Sequence, residues 1–166
     1  SEMCIRDRHS RFRSHSWNMF LLGEARSDVF GGTPFGGEAT QGMERFPYNT
    51  LNAENPGISG FGDLYQNINQ MNLFISRTLH ADVLTESAKN YYLGQVYGLR
   101  AYYMYQLYRS WGDAVFTEEP SLGFEVGKLA KAATPAAEIF EQVKKDIESS
   151  LSYFGPDYTI KAVSYT

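Results

Sequence analysis

The stretch Glu86–Ser110, ESAKNYYLGQVYGLRAYYMYQLYRS, decides the fold. It contains no proline and reads as one long helix. Ala88, Tyr92, Val96, Leu99, Tyr103 and Leu107 recur at helical period, and Tyr91, Gly94, Gly98, Ala101, Tyr105 and Tyr108 form a second, rotated stripe. Two stripes describe a helix packed on two sides, as inside a helical stack. Gly94 and Gly98 each cost about 1 kcal/mol in a helix interior, a cost that close approach of a neighbouring helix backbone offsets. The regular spacing favours core packing for the tyrosines, with hydroxyls at the rim, over a sugar-stacking platform. The helix stops at Trp111-Gly112-Asp113, where Gly112 is suited to a left-handed C-terminal cap and Trp111 to plugging a helix–helix junction.

The neighbouring segments carry the same pattern. In residues 60–79, Leu64, Ile68, Met71, Ile75 and Leu79 line one face, and the uncharged polar residues Gln66, Asn69 and Gln70 the other. A third long helix is expected from Thr134-Pro135, with Thr134 supplying the N-cap oxygen and Pro135 at the first position. Ile139, Val143, Ile147 and Leu151 run down its face, and Gly155-Pro156 ends it. A shorter helix is expected over Trp17–Ser27. Phe30–Gly57, rich in Gly, Pro, Asn and Thr, reads as a loop of roughly thirty residues, a length that is usually functional or disordered. No clear strand is present. The expected class is all-α, with antiparallel helix pairs stacked in tetratricopeptide-like fashion and joined by long irregular loops.

Composition excludes several function classes. The 166 residues carry a formal net charge of −4, so no basic field is available to hold nucleic acid. No apolar run is long enough to cross a bilayer. The single cysteine, Cys4, cannot form a disulfide within the chain. His9, His15 and His80 show no metal-ligand spacing, and no phosphate loop or nucleophile elbow occurs, so no metal, cofactor or catalytic residue is expected. Glu118-Glu119 reads as a solvated turn, because the paired carboxylates of a glycosidase face each other across a cleft. Lys144-Lys145-Asp146 reads as a solvated helix face. Aromatic residues make up 15% of the chain, and they suit half-buried surfaces and ligand stacking.

The two ends raise a separate expectation. Met-Cys-Ile-Arg-Asp (Met3–Asp7) can be encoded ATG-TGT-ATA-AGA-GAC, whose reverse complement translates as Val-Ser-Tyr-Thr-His. The chain closes with Val163-Ser164-Tyr165-Thr166. Residues 1–8 and 163–166 are therefore expected to be read-through into a sequencing adaptor, leaving residues 9–162 as the native piece of a longer protein, and the next residue after Thr166 is expected to be His.

The segment Tyr97–Pro120, YGLRAYYMYQLYRSWGDAVFTEEP, resembles the SusD/RagB family of surface glycan-binding lipoproteins. The matching residues are Leu99, Arg100, Ala101, Tyr105, Leu107, Trp111, Gly112, Asp113, Glu119 and Pro120; Ala114-Val115-Phe116 stands where Val-Pro-Leu is usual, so the turn lacks the family's proline. Leu64–Ile75, Glu24–Phe30 and the helix after Thr134 resemble family segments in the same order, over about residues 12–155. The resemblance places the chain in the N-terminal half of a family member about three times longer. It implies a protein on the outer membrane of glycan-degrading bacteria, tethered by a lipidated cysteine outside this piece. Such a protein caps a TonB-dependent SusC-like transporter, hands it oligosaccharides or sometimes peptides, and binds without catalysing.

Within that reading, the loop Phe30–Gly57 is the best binding candidate. Phe35, Phe46 and Tyr48 are aromatics outside helical periodicity, and Arg45, Asn49, Asn52 and Asn55 are polar neighbours able to bond sugar hydroxyls. Loop packing, or contact with the transporter, is the bland alternative. At the level of the whole protein, a tetratricopeptide-like adaptor for a protein partner would use the concave helical face and need no sugar loop. A helical-barrel glycosidase would require acidic residues beyond Ala162.

Overall fold

A computed structural model describes residues 15–27, 29, 48–50, 52, 62–123 and 131–156. It divides into two compact units, residues 1–63 and 64–166. The expected boundaries at residues 8 and 163 lie outside the described residues.

In the first unit, α1 spans Ser16–Leu22 and a single 3₁₀ turn spans Glu24–Arg26. The helix expected over Trp17–Ser27 is thus interrupted at Gly23, where the backbone leaves helical geometry (φ −114°, ψ −94°). Leu21 and Ala25 are buried, with Phe20 and Leu22 packed around them. Ser27 ties off the turn, donating to the Glu24 carbonyl from both its N–H, at 3.0 Å, and its hydroxyl, at 2.6 Å.

The second unit is built on three long helices: α2 (Gly62–Leu79), α3 (Glu86–Trp111) and α4 (Ala136–Phe154). The fold is all-α, as the periodicity predicts. Among the described residues the only extended pairing is a bridge between Ala114 and Thr134. Leu64, Ile68, Ala101, Tyr103, Met104, Leu107, Ile139 and Val143 form one apolar cluster, and Met71, Ile75, Leu93 and Val96 a second. Each Leu, Ile, Val or Met side chain among them, fully buried, contributes about 1.5–3 kcal/mol. Contacts running from Phe74–Tyr92 to Asn72–Arg100, and from Gly94–Phe154 to Tyr108–Phe140, set α3 antiparallel to both neighbours.

The two glycines of α3 do what their positions require. A Cβ on Gly94 would lie 2.7 Å from the Phe154 ring, and one on Gly98 would lie 3.2 Å from Ser150 Oγ. That hydroxyl donates to the Gly94 carbonyl at 2.6 Å. The missing side chains let α4 approach the α3 backbone directly. At the end of α3, Gly112 takes φ +72° while its N–H donates to the Tyr108 carbonyl at 2.9 Å. This positive φ strains any L side chain, and the chain turns there.

Several expectations change. Thr134 does not cap α4. Its backbone is used in the bridge to Ala114, and the helix N-terminus is capped from a distance: Asp113 Oδ1 accepts from Ala136 N–H at 2.8 Å. At the other end of the pair, Thr85 does cap α3, its hydroxyl accepting from Ala88 N–H at 3.3 Å. On α4, Ile147 and Leu151 are exposed, and the buried row is Ile139, Val143, Asp146 and Ser150. Each i+4 step over-rotates a helix by about 40°, so a strict i+4 row winds off the contact face; the buried row mixes steps of three and four. Asp146 is therefore no part of a solvated face, although Lys144 and Lys145 beside it are exposed. On α3, Tyr103 is fully buried, but Tyr91 and Tyr105 stand 44% and 41% exposed, so the core reading of the tyrosine stripes holds only in part.

Candidate functional site

Of the residues singled out for ligand contact, Phe35, Arg45, Phe46 and Asn55 lie outside the described residues. Tyr48, Asn49 and Asn52 lie within them, all three exposed. Tyr48 shows 52% of its surface. Asn49 has φ +52°, the left-handed region that asparagine tolerates better than other side chains. Its amide is bonded in two directions. Oδ1 accepts from Arg26 Nε at 3.1 Å, and Nδ2 donates to the Arg26 carbonyl at 3.4 Å. Sequence reasoning placed Arg26 only within a family-like segment; its tie to Asn49 spans 23 positions and has no local signature.

The family-like motif of α3 serves the interior. Leu99 is half-buried, Ala101 and Leu107 are buried, and Trp111 packs on the first cluster. Tyr105 faces outward. Gly112 makes the turn, and Asp113 caps α4. Arg100 is 2% exposed and joins three helices. Its Nε and Nη2 each donate to Asp146 on α4 at 2.7 Å, and its Nη1 donates to Asn72 Oδ1 on α2 at 2.8 Å. Gln142 Nε2 adds a donor to Asp146 at 3.0 Å. Asn72 passes the order outward, donating from Nδ2 to the Thr117 carbonyl at 2.6 Å. One turn away, Asn69 exchanges two bonds with the Ser121 backbone, at 3.1 and 2.7 Å. The irregular segment after α3 is thus pinned along α2. Asn72 and Asp146 are polar residues on buried helix faces, which buried chemistry permits only with a partner.

This interior pair is a brace rather than a reaction centre. Arg100 and Asp146 satisfy each other deep in the fold. Glu118, on the rim, accepts from Lys145 Nζ at 2.9 Å, and that bond chiefly holds its carboxyl below the usual glutamate range. A glycosidase acid needs the opposite shift. No cluster of metal-ligating side chains occurs among the described residues.

No protein-family model matches this chain, and no curated protein matches it. Solved structures do. NanU of B. fragilis is 49% identical, with a TM-score of 0.83, the match covering 96% of this chain and 31% of that one. A SusD superfamily protein from Bacteroides vulgatus ATCC 8482 is 47% identical at TM-score 0.81, covering 94% and 31%. A SusD superfamily protein from Bacteroides fragilis NCTC 9343 is 32% identical at TM-score 0.74, covering 93% and 30%. The chain spans about a third of the length of these structures. With identity of this order along nearly its whole length, and with the Leu99–Asp113 motif forming the brace and turn of its helical stack, the chain belongs to the SusD superfamily.

Proposed function

We propose that the full-length protein binds oligosaccharides at the bacterial cell surface and delivers them to a TonB-dependent, SusC-like outer-membrane transporter, without catalysis or cofactor. The observation that carries this reading is the 47% identity, at TM-score 0.81, to a SusD superfamily protein over 94% of the chain. In this reading Phe35, Phe46 and Tyr48 supply stacking faces, and Arg45, Asn49, Asn52 and Asn55 supply polar partners for hydroxyls. Attachment to the membrane is by a lipidated cysteine outside this chain. No helix among the described residues is long and apolar enough to cross a bilayer.

The test is a glycan array and calorimetric titration with the full-length protein, followed by product analysis of the bound sugar and co-purification with a SusC-like barrel transporter. Saturable binding with intact sugar recovered is the expected outcome. Release of shortened sugar overturns the non-catalytic part. The exposure of Tyr91 and Tyr105 on α3 favours a second reading, a helical adaptor for a protein partner. Partner capture lost on changing Tyr91 or Tyr105 to Ala, and retained on changing Phe35 and Tyr48 to Ala, would establish that reading instead.

A further inference from the structure

α4 carries two apolar rows, and the packing of the second unit covers only one of them. Ile139 and Val143 are buried in the first cluster. Phe140, Ile147 and Leu151 recur at helical spacing beside that row and stand exposed, Leu151 by 65%. Asp146, held in the brace to α2, lies about 100–140° around α4 from these three residues, so their face turns away from α2. Aromatic side chains continue it onto α3: the Tyr105 and Tyr108 rings lie 6.3 Å apart, and Tyr108 lies 5.3 Å from Phe140. Tyr105 is exposed as well. Charge stays at the edge, where Lys144 lies 5.7 Å over the Phe140 ring and pairs with Glu141 at 2.6 Å.

Phe140, Ile147 and Leu151 carry no hydrogen-bonding group for a sugar hydroxyl. A row of this kind at helical period fits the apolar side of another helix. The match takes in 31%, 31% and 30% of the three solved relatives, so most of a full-length protein lies outside this chain. The backbone also turns at the right place: Gly155 takes φ +73° while its N–H donates to the Leu151 carbonyl at 2.9 Å. A chain continuing from there meets the face first at Leu151, and consecutive elements usually pack side by side. From Leu151 back to Phe140 is about 17 Å along α4, which about three turns of helix span. We propose that this face is the docking surface for the helix that follows α4 in the full-length protein, an amphipathic segment that runs antiparallel to α4 with its apolar row against Leu151, Ile147 and Phe140. The proposal takes the chain's place in the N-terminal half of the protein from its motif order and is independent of glycan binding. It has a functional consequence: with Tyr105 covered from within the protein, a separate partner has no access to it, and the adaptor reading loses that contact.

The experiment uses the full-length protein in two measurements. Hydroxyl-radical footprinting of the unsubstituted protein compares each side chain, folded against urea-unfolded, so the result does not depend on a variant folding. Tyr105, Phe140 and Leu151 are expected to react at least about tenfold more slowly when folded, at a rate that dilution leaves unchanged. Val83, 94% exposed in the turn between α2 and α3, should stay within about twofold of its unfolded rate. The second measurement identifies the occupant: with Ile147 replaced by the photoreactive p-benzoylphenylalanine, the crosslink is expected on a segment after Pro156 of the same chain. Folded rates at Tyr105, Phe140 and Leu151 as close to the unfolded ones as that of Val83 overturn the proposal. So does protection that vanishes on dilution, or a crosslink to residues 1–63, to a second copy or to a separate protein. A crosslink to a separate protein would restore the adaptor reading.

Discussion

Arg100 on α3 and Asp146 on α4 form a two-bond ion pair, both bonds 2.7 Å long, with the side chains 3% and 1% exposed. Desolvating two charges is costly, and two short bonds between the partners, with Asn72 accepting from Arg100 and Gln142 donating to Asp146, are what make such a pair tolerable. Removing one partner strands the other. Arg100→Met or Asp146→Leu is expected to destabilise by about 3–5 kcal/mol. The double variant, which leaves no orphaned charge, should lose less than the sum of the two. Equilibrium urea unfolding of the full-length protein checks this; additive losses would show that the pair is not coupled.

The glycines of α3 should respond unequally to alanine. At Gly94 the new methyl meets three atoms of the Phe154 ring, all under 3 Å. Overpacking of this kind costs about 1–3 kcal/mol. At Gly98 the sole close neighbour is Ser150 Oγ at 3.2 Å, and the helix-propensity gain of about 1 kcal/mol offsets a small displacement. Gly94→Ala should lower the melting temperature, and Gly98→Ala should leave it nearly unchanged. Equal effects at the two positions would contradict this packing.

Asp113 lies 23 positions before the N–H it caps. Asp113→Ala should cost about 0.5–2 kcal/mol, the usual loss of a helix N-cap. Asp113→Asn keeps an oxygen acceptor and should cost less than Asp113→Ala. Unfolding curves of the two variants give the order; an equal loss would indicate that charge at the helix end, not the hydrogen bond, carries the effect.

The lowered pKa of Glu118 has a pH consequence. A carboxyl whose folded value lies below its unfolded value contributes stability that is fully present above the unfolded value. That contribution is lost as pH falls through the folded value. The window is acidic, below the ordinary glutamate range. The pair is solvent-exposed, with side-chain exposures of 63% for Lys145 and 49% for Glu118, so the gain is at most about 1 kcal/mol. Glu118→Gln should flatten the parent's acid-side decline slightly and should leave stability at neutral pH lower by less than that amount. A pH profile of melting temperature, parent against variant, decides it.

The local facts of this protein were legible in its amino acids alone. The 3.6-residue period, the Trp111-Gly112-Asp113 stop and the paired glycines of α3 are each short-range properties, fixed by backbone geometry within a turn or two. They gave the three long helices nearly to the residue, and the motif at Leu99–Asp113 gave the family. What the tertiary structure alone decided are pairings between distant positions: Arg100 with Asp146, Asp113 with Ala136, Asn72 with Thr117, and Arg26 with Asn49. A polar side chain carries its donors and acceptors in the sequence, but not the partner that will meet them. The burial of Asp146 and the exposure of Ile147 and Leu151 follow from which face of α4 the glycines of α3 admit, a choice settled only when two helices pack.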